Sequence, residues 1–350
     1  LSDKKLKYEN LRAEWENILW RHSMENRSKF AKTLDFFRQG FLSSRLTQLG
    51  LDFGSLLRQL GRTIGRPGLL FSSTKKGFVA VTAAGEVRMR EELDKDPMIP
   101  VFREAGLEIT DWNNPMAVTR QEEIWASRWI QVQTIEPTDS PGKKAALTVL
   151  NTVTGPIRGL GRGQVTLLNY ARVGMMHAMS GMLSRYGAPT MEEMRHYAVM
   201  INVSTGRGTM SDFEKSASGL LSVVFLAYRW AKSGAQYVTG YPLWYPAVTG
   251  NATLRSSTVV LAEYARNLSG IALIYAAYAA AAFLSGDPDK YKIEWDPRSK
   301  RFGKLKFGES MVDPTAGISQ WVTFLTKLST ESIYQAFGYD TGFRGKKEQS

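Results

Sequence analysis

The sequence predicts a mainly α fold, a bundle-like assembly of many helices with one small β-hairpin near residues 290–308. Three observations carry that expectation. Apolar residues recur at helical spacing through most of the 350 residues. Glycines, prolines and small capping residues punctuate those stretches where helices should start and stop. Only the region around Tyr291 to Phe307 alternates apolar and charged residues with the period of a strand. The chain has no cysteine, which excludes disulfides and thiolate metal sites and suits a reducing compartment or a protein that crosses compartments. It opens on Leu1 rather than Met, which reads as a processed or partial chain, and the charged first segment does not read as a secretory signal.

Residues 1–49 read as an N-terminal helical arm, with Leu11, Trp15, Ile18 and Leu19 and then Phe30, Leu34, Phe37 and Phe41 at helical spacing. Residues 50–141 form a second helical unit. In it "GRTIGRPG" ends one helix and "STKKGFVAVTAAGEVRMREELDKDP" predicts one long helix to about Asp96. A short helix and loop, "FREAGLEITDWNNP", follow, then a helix bearing Trp125 and Trp129, and Ser140-Pro141-Gly142 marks a local boundary. Residues 142–286 read as a central helical core. Its first part is expected to alternate helix and glycine, with Gly155, Gly159, Gly161 and Gly163 ahead of a core helix carrying Met175, Met176, Met179 and Met182. Thr190 caps the next helix, with acidic residues in its first turn, and Thr205-Gly206 stops it at about Asn202. Residues 268–284 are uncharged, which fits either a buried central helix or a membrane span. Residues 287–350 hold the hairpin, a last helix with Ile318, Trp321, Val322 and Leu325 on one face, and a loose polar tail.

Charge is unevenly distributed. Residues 1–76 carry 15 basic against 7 acidic side chains, residues 77–141 carry 6 against 12, and residues 142–210 carry 8 against 2. Two basic blocks around an acidic one suggest polyanion contact or association of opposite patches. The candidate polyanion contacts are Arg58, Arg62, Arg158, Arg162 and Arg207. Arg158 and Arg162 lie within the glycine-rich stretch, whose amides either approach a phosphate or serve close helix packing or a flexible joint. Catalytic and metal sites are not expected, and neither is a cofactor. The only histidines are His22, His177 and His196, and Glu193-x-x-His196 is a single step of a pattern that carboxylate-bridged metal bundles need twice.

Several stretches, taken in order, resemble the large polyvalent-protein-associated module of tailed-phage internal virion or DNA-ejection proteins. They are "LDFGSLLRQLGR" (51–62), "FREAGLEIT" (102–110), "EEIWASRWI" (122–130), "LTVLNTV" (147–153), "INVSTGRG" (201–208), "LLSVVFLAYRW" (220–230) and "DPTAGISQW" (313–321). The most telling element is Asn202, Thr205, Gly206, Arg207 and Gly208. Two departures stand beside it: the glycine-rich stretch replaces a more polar helix, and "VFLAYRWAKS" lacks the family's proline. The resemblance implies a non-enzymatic virion protein held in the capsid interior or the portal and tail region, and delivered to the host envelope or cytoplasm with the genome. Expected partners are copies of itself and portal, tail or ejection proteins, with non-specific DNA contact through Lys and Arg. A membrane-inserting protein forming part of an envelope-spanning conduit is the alternative. Arg207 is then the leading polyanion contact, with capping of the preceding helix as its structural counterpart.

Overall fold

The computed structural model describes Ser28 and residues 61–110, 140–211, 213–214, 228–286, 293–307 and 310–336. The mainly helical class with one small hairpin is observed. Arg58, the N-terminal arm, the helix bearing Trp125 and Trp129, and the C-terminal tail lie outside the described residues.

Where one helix was expected to reach Asp96, two form: α1 (Pro67–Val79) and α2 (Ala83–Asp94). Pro67 suits the first position of α1, since its missing N–H has no helical partner there anyway. The break follows from Thr82, whose backbone is extended and whose hydroxyl accepts the Gly85 amide at 3.1 Å, starting α2 afresh. A short α3 (Ile99–Glu104) carries Pro100 in its first turn.

The long α4 (Pro141–Gly181) corrects the expected alternation of helix and glycine. Its 41 residues run unbroken for about 60 Å, from a cap in which the Ser140 hydroxyl accepts the Lys143 amide. Gly155, Gly159, Gly161 and Gly163 all lie inside it, so their amides are spent within the helix and cannot cradle a phosphate. The glycines serve packing instead. A Cβ on Gly163 would stand 2.8 Å from the Gly77 carbonyl oxygen of α1, and one on Gly77 would stand 2.8 Å from the Gly163 carbonyl oxygen. Gly159 meets the Val81 carbonyl oxygen at 2.9 Å in the same sense. Backbone therefore lies on backbone, and the packing offsets the conformational cost of glycine in a helix.

Helix α5 (Met191–Ser204) opens with a capping box between Thr190 and Glu193. It crosses α4 at the centre of the molecule, where Met175, Met176 and Met179 pack with Phe102, Tyr197, Met200 and Ile201. Helices α6 (Tyr228–Val238) and α7 (Tyr241–Val248) follow, divided at Gly240, whose φ is 67°. Helix α8 (Leu254–Ser285) starts from a second capping box at Thr253. Its apolar run is not the buried central helix expected from its composition: of its most apolar 18-residue stretch only 11% is buried.

The hairpin is present but shifted. Strands β1 (Leu305–Phe307) and β2 (Ser310–Val312) pair antiparallel, Leu305 opposite Val312. Residues 293–295, expected to pair with them, contribute only an isolated bridge from Glu294 to Phe302. Two contacts explain the shift. Trp295 turns aside to pack on Tyr275 at 5.2 Å, and the Asp296 carboxylate accepts the Arg298 amide to make a turn at once. Tyr278 of α8 then bonds both the amide and the carbonyl of Lys306, closing one edge of β1. The last helix, α9 (Ile318–Ala336), begins later than the Asp313-Pro314 signal suggests. Asp313 instead gathers the Thr315 and Gly317 amides and the Ser319 hydroxyl, while Ala316 and Gly317 adopt φ of 55° and 84°.

Candidate functional site: the Thr-Gly-Arg-Gly turn and its arginine cluster

The turn that ends α5 is built by backbone rules. Gly206 is left-handed at φ 87°, the Arg207 amide reaches back to the Asn202 carbonyl at 2.8 Å, and the Gly206 amide reaches Val203. That is a Schellman stop, and the expected glycine brake at Thr205-Gly206 is where the sequence places it. Alanine at 206 has to enter a conformation that costs an L-residue about 1–2 kcal/mol. The expected result is that Gly206→Ala lowers the unfolding free energy by that amount in a denaturant titration, with Gly206→Asn losing less.

Arg207 follows the stop and turns inward. It is 2% exposed and donates to the Glu108 carbonyl and to the Thr110 hydroxyl. The expectation of a surface polyanion contact is therefore corrected: the carbonyl its guanidinium holds belongs to the 106–110 segment. Arg172 of α4, fully buried, donates to the hydroxyl of Thr205 at 2.9 Å and to its carbonyl. Arg229 of α6 grips both carboxylate oxygens of Glu108 at 2.7 Å. One carboxylate thus sits among three guanidiniums from three elements.

The electrostatics follow from that arrangement. Burial alone would push the Glu108 carboxyl up, but Arg229 and then Arg207 outweigh it and hold the group below the usual carboxylate range. Burial pulls the guanidiniums of Arg172 and Arg207 down to about 9, with Glu108 opposing, so both remain cations at neutral pH.

Around this cluster, three side-chain amides act as substitute strands. Asn202 bonds the Glu108 amide and the Gly106 carbonyl, and Asn169 bonds both backbone groups of Thr110. Gln236 does the same for Thr209. Gly208 fits because a Cβ there would meet the Ser233 amide nitrogen at 2.8 Å, as the turn leans on α6. The motif residues Asn202, Thr205, Gly206 and Gly208 are therefore brought together, with Arg207, as a packing lock between α4, α5, α6 and the 106–110 segment.

The other candidates do not join it as a ligand site. Arg62 is fully buried, donates to the Ser233 hydroxyl at 2.8 Å, and lies over the rings of Trp230 and Tyr237. Arg158 folds back on its own helix at Thr154 and Asn151. Arg162 donates to the Val81 carbonyl at 2.8 Å beside Glu86. Arg62 is thus structural, correcting its nomination for surface polyanion contact, while Arg158 and Arg162 stay half-buried on α4 with these bonds inside the fold. Among the described residues no group of three or more His, Asp or Glu is placed to hold a metal ion. Glu193 bonds the Thr253 hydroxyl, and His196 lies between the Ser256 hydroxyl and the Pro242 carbonyl. Burial draws the His196 pKa down against that carbonyl bond.

No family model, curated protein or solved structure matches this chain.

The sequence reading missed Glu108, Arg229, Asn169 and Arg172. Arg172 carried a signal, since it is a lone cation inside the otherwise uncharged run from Gly163 to His177. Glu108 carried none: a glutamate after a short helix looks the same whether it faces water or three arginines.

Proposed function

We propose that this chain is a non-enzymatic helical module of a tailed-phage internal virion or DNA-ejection protein. In this reading it is carried in the capsid interior or the portal and tail region, and it packs against copies of itself or against portal, tail or ejection components during genome delivery. The observation that carries the assembly role is the first part of α4. Residues 141–153 hold no buried side chain, although the stretch spans about 20 Å and includes Val149 and Val153, the latter 65% exposed. Apolar side chains one turn apart on the exposed side of a helix offer a contact surface. Direct DNA contact is not part of the proposal, because Arg62 and Arg207 are buried within the fold.

The test is the mass of the full chain in solution. It is expected to run as a multimer by size-exclusion chromatography with light scattering. Val149→Glu with Val153→Glu should return it to monomer without loss of helical circular dichroism. A strict monomer that also fails to retain purified particle components refutes the proposal. A second reading, a membrane-inserting protein of an envelope conduit, is favoured by one specific observation: α8 is long and apolar enough to cross a bilayer and is mostly unburied.

A further inference from the structure

Helix α8 turns much of its polarity inward and an apolar surface outward. Its inward stripe sets Ser256, Glu263, Asn267 and Tyr278 among Val259, Val260 and Ile271. Ser256 bonds His196, Glu263 takes Arg66 at 2.6 and 2.7 Å, and the Tyr275 and Tyr278 hydroxyls donate to the carbonyls of Gly303 and Lys306. Its outward stripe is apolar, with Leu261, Leu268, Leu273, Phe283 and Leu284 exposed, Leu273 at 70% and Phe283 at 87%. No charge occurs between Arg266 and Asp287. A soluble helix carries its polarity the other way round.

We infer that the outward face of α8 docks on a lipid bilayer with anionic headgroups, the helix lying in the plane of the interface rather than crossing it. This rests on the second reading above for the presence of a membrane and specifies the lipid and the orientation. Charge selects the partner. The turn that packs against α8 at Tyr275 and Tyr278 carries Arg298, Lys300, Arg301, Lys304 and Lys306 against Glu294 and Asp296. A basic segment held on the same helix as an apolar face suits an anionic leaflet. Two exposed tryptophans stand on elements that pack against α8. Trp295 rests on Tyr275, and Trp244 stands with Tyr241 and Tyr245 on α7, which packs against α8. These are the side chains that settle at headgroup level. Orientation follows from what is bonded to the helix: a crossing helix would draw Lys304 and Lys306, in the segment held by Tyr278, into hydrocarbon, where charge is costly. A second copy of the chain fits less well, since a protein interface surrounds its apolar centre with a polar rim and this face has no charge along 20 residues.

The experiment is flotation of the full chain with vesicles of phosphatidylcholine alone or with phosphatidylglycerol, followed by an alkaline carbonate wash. Expected results are flotation at least about tenfold greater with the anionic vesicles, and release by the wash. Leu268→Glu with Leu273→Glu, both outward, should abolish flotation while melting as the wild type does. Lys300→Glu with Arg301→Glu should lower it at least about fivefold, as the loss of surface cations implies. Wild-type protein left at the bottom with both vesicle types overturns the inference, and so does a Leu268/Leu273 variant that floats normally. Retention through the wash overturns the in-plane orientation while the membrane reading stands. Absence of flotation together with a multimer dissolved by the Leu268/Leu273 pair assigns the face to a second copy, which ends both membrane statements and leaves the assembly proposal intact.

Discussion

Glu108→Ala is expected to cost about 3 kcal/mol of unfolding free energy, more than any other single change to the turn cluster. The carboxylate is gripped by Arg229 and stands 3.8 Å from Arg207, whose guanidinium is buried. Removing it leaves those cations facing one another across a space that water enters only in part. A fully buried pair broken in this way loses about 3–5 kcal/mol. The figure here belongs at the lower end, because the Glu108 side chain is 33% exposed and solvent can screen the vacancy. Denaturant titration followed by helical circular dichroism measures it. A loss under about 1 kcal/mol would mean that the cluster is held by packing and not by charge.

The same pair sets an acid dependence. The native carboxyl titrates below its unfolded value near 4.5, so its contribution is whole above that pH and drains away as the pH falls through the depressed native value. Glu214 acts in the same direction, held at about 2 by Lys232, Tyr228 and Ser211 against the opposing effect of burial. The melting temperature of the wild type should therefore fall between pH 5 and pH 3, taken as roughly the window of such carboxylates. The Glu108→Ala variant should lose part of that slope.

Gly163→Val is the second large effect, expected to destabilise by about 3 kcal/mol, at or just above the range for overpacking a tight core. The neighbour it would strike is the Gly77 carbonyl oxygen, a backbone atom in the last turn of α1 that no rotamer change can move. Helices α1 and α4 would have to separate, and the Val81 turn seated on Gly159 would lift with them. Gly142→Val is the control, since a Cβ there meets nothing within 4 Å. A loss at 142 as large as the loss at 163 would show that the contact between backbones does not decide the outcome, because helix propensity alone favours both replacements of glycine.

Much of the scaffold was legible because its signals are local. The Thr190 cap, the Gly206 stop and the methionine core each depend on a few neighbouring residues, and each stands where the periodicity and turn chemistry placed it. Most misses have a different cause. The break at 80–82 is the exception, set by the local Thr82 cap. The unbroken α4 and the shifted hairpin were decided by partners far along the chain: Gly77 for Gly163, Tyr278 for Lys306, Tyr275 for Trp295. The arginines failed as site markers for the same reason. A basic side chain between glycines gives no hint of whether Glu108 lies behind it. Composition misjudged α8 as well, since an apolar run states a preference for leaving water but not which neighbour receives it.

The amides of Asn169, Asn202 and Gln236 have one more consequence. By shape the 106–110 and 208–209 segments are coil, yet their peptide groups end on side chains rooted in α4, α5 and α6. Such coil has no low-energy way to open by itself: shedding its bonds requires the helices to part. Deuterium should therefore enter these two segments no sooner than it enters the bundle, so the least regular part of the chain shares the lifetime of the most regular.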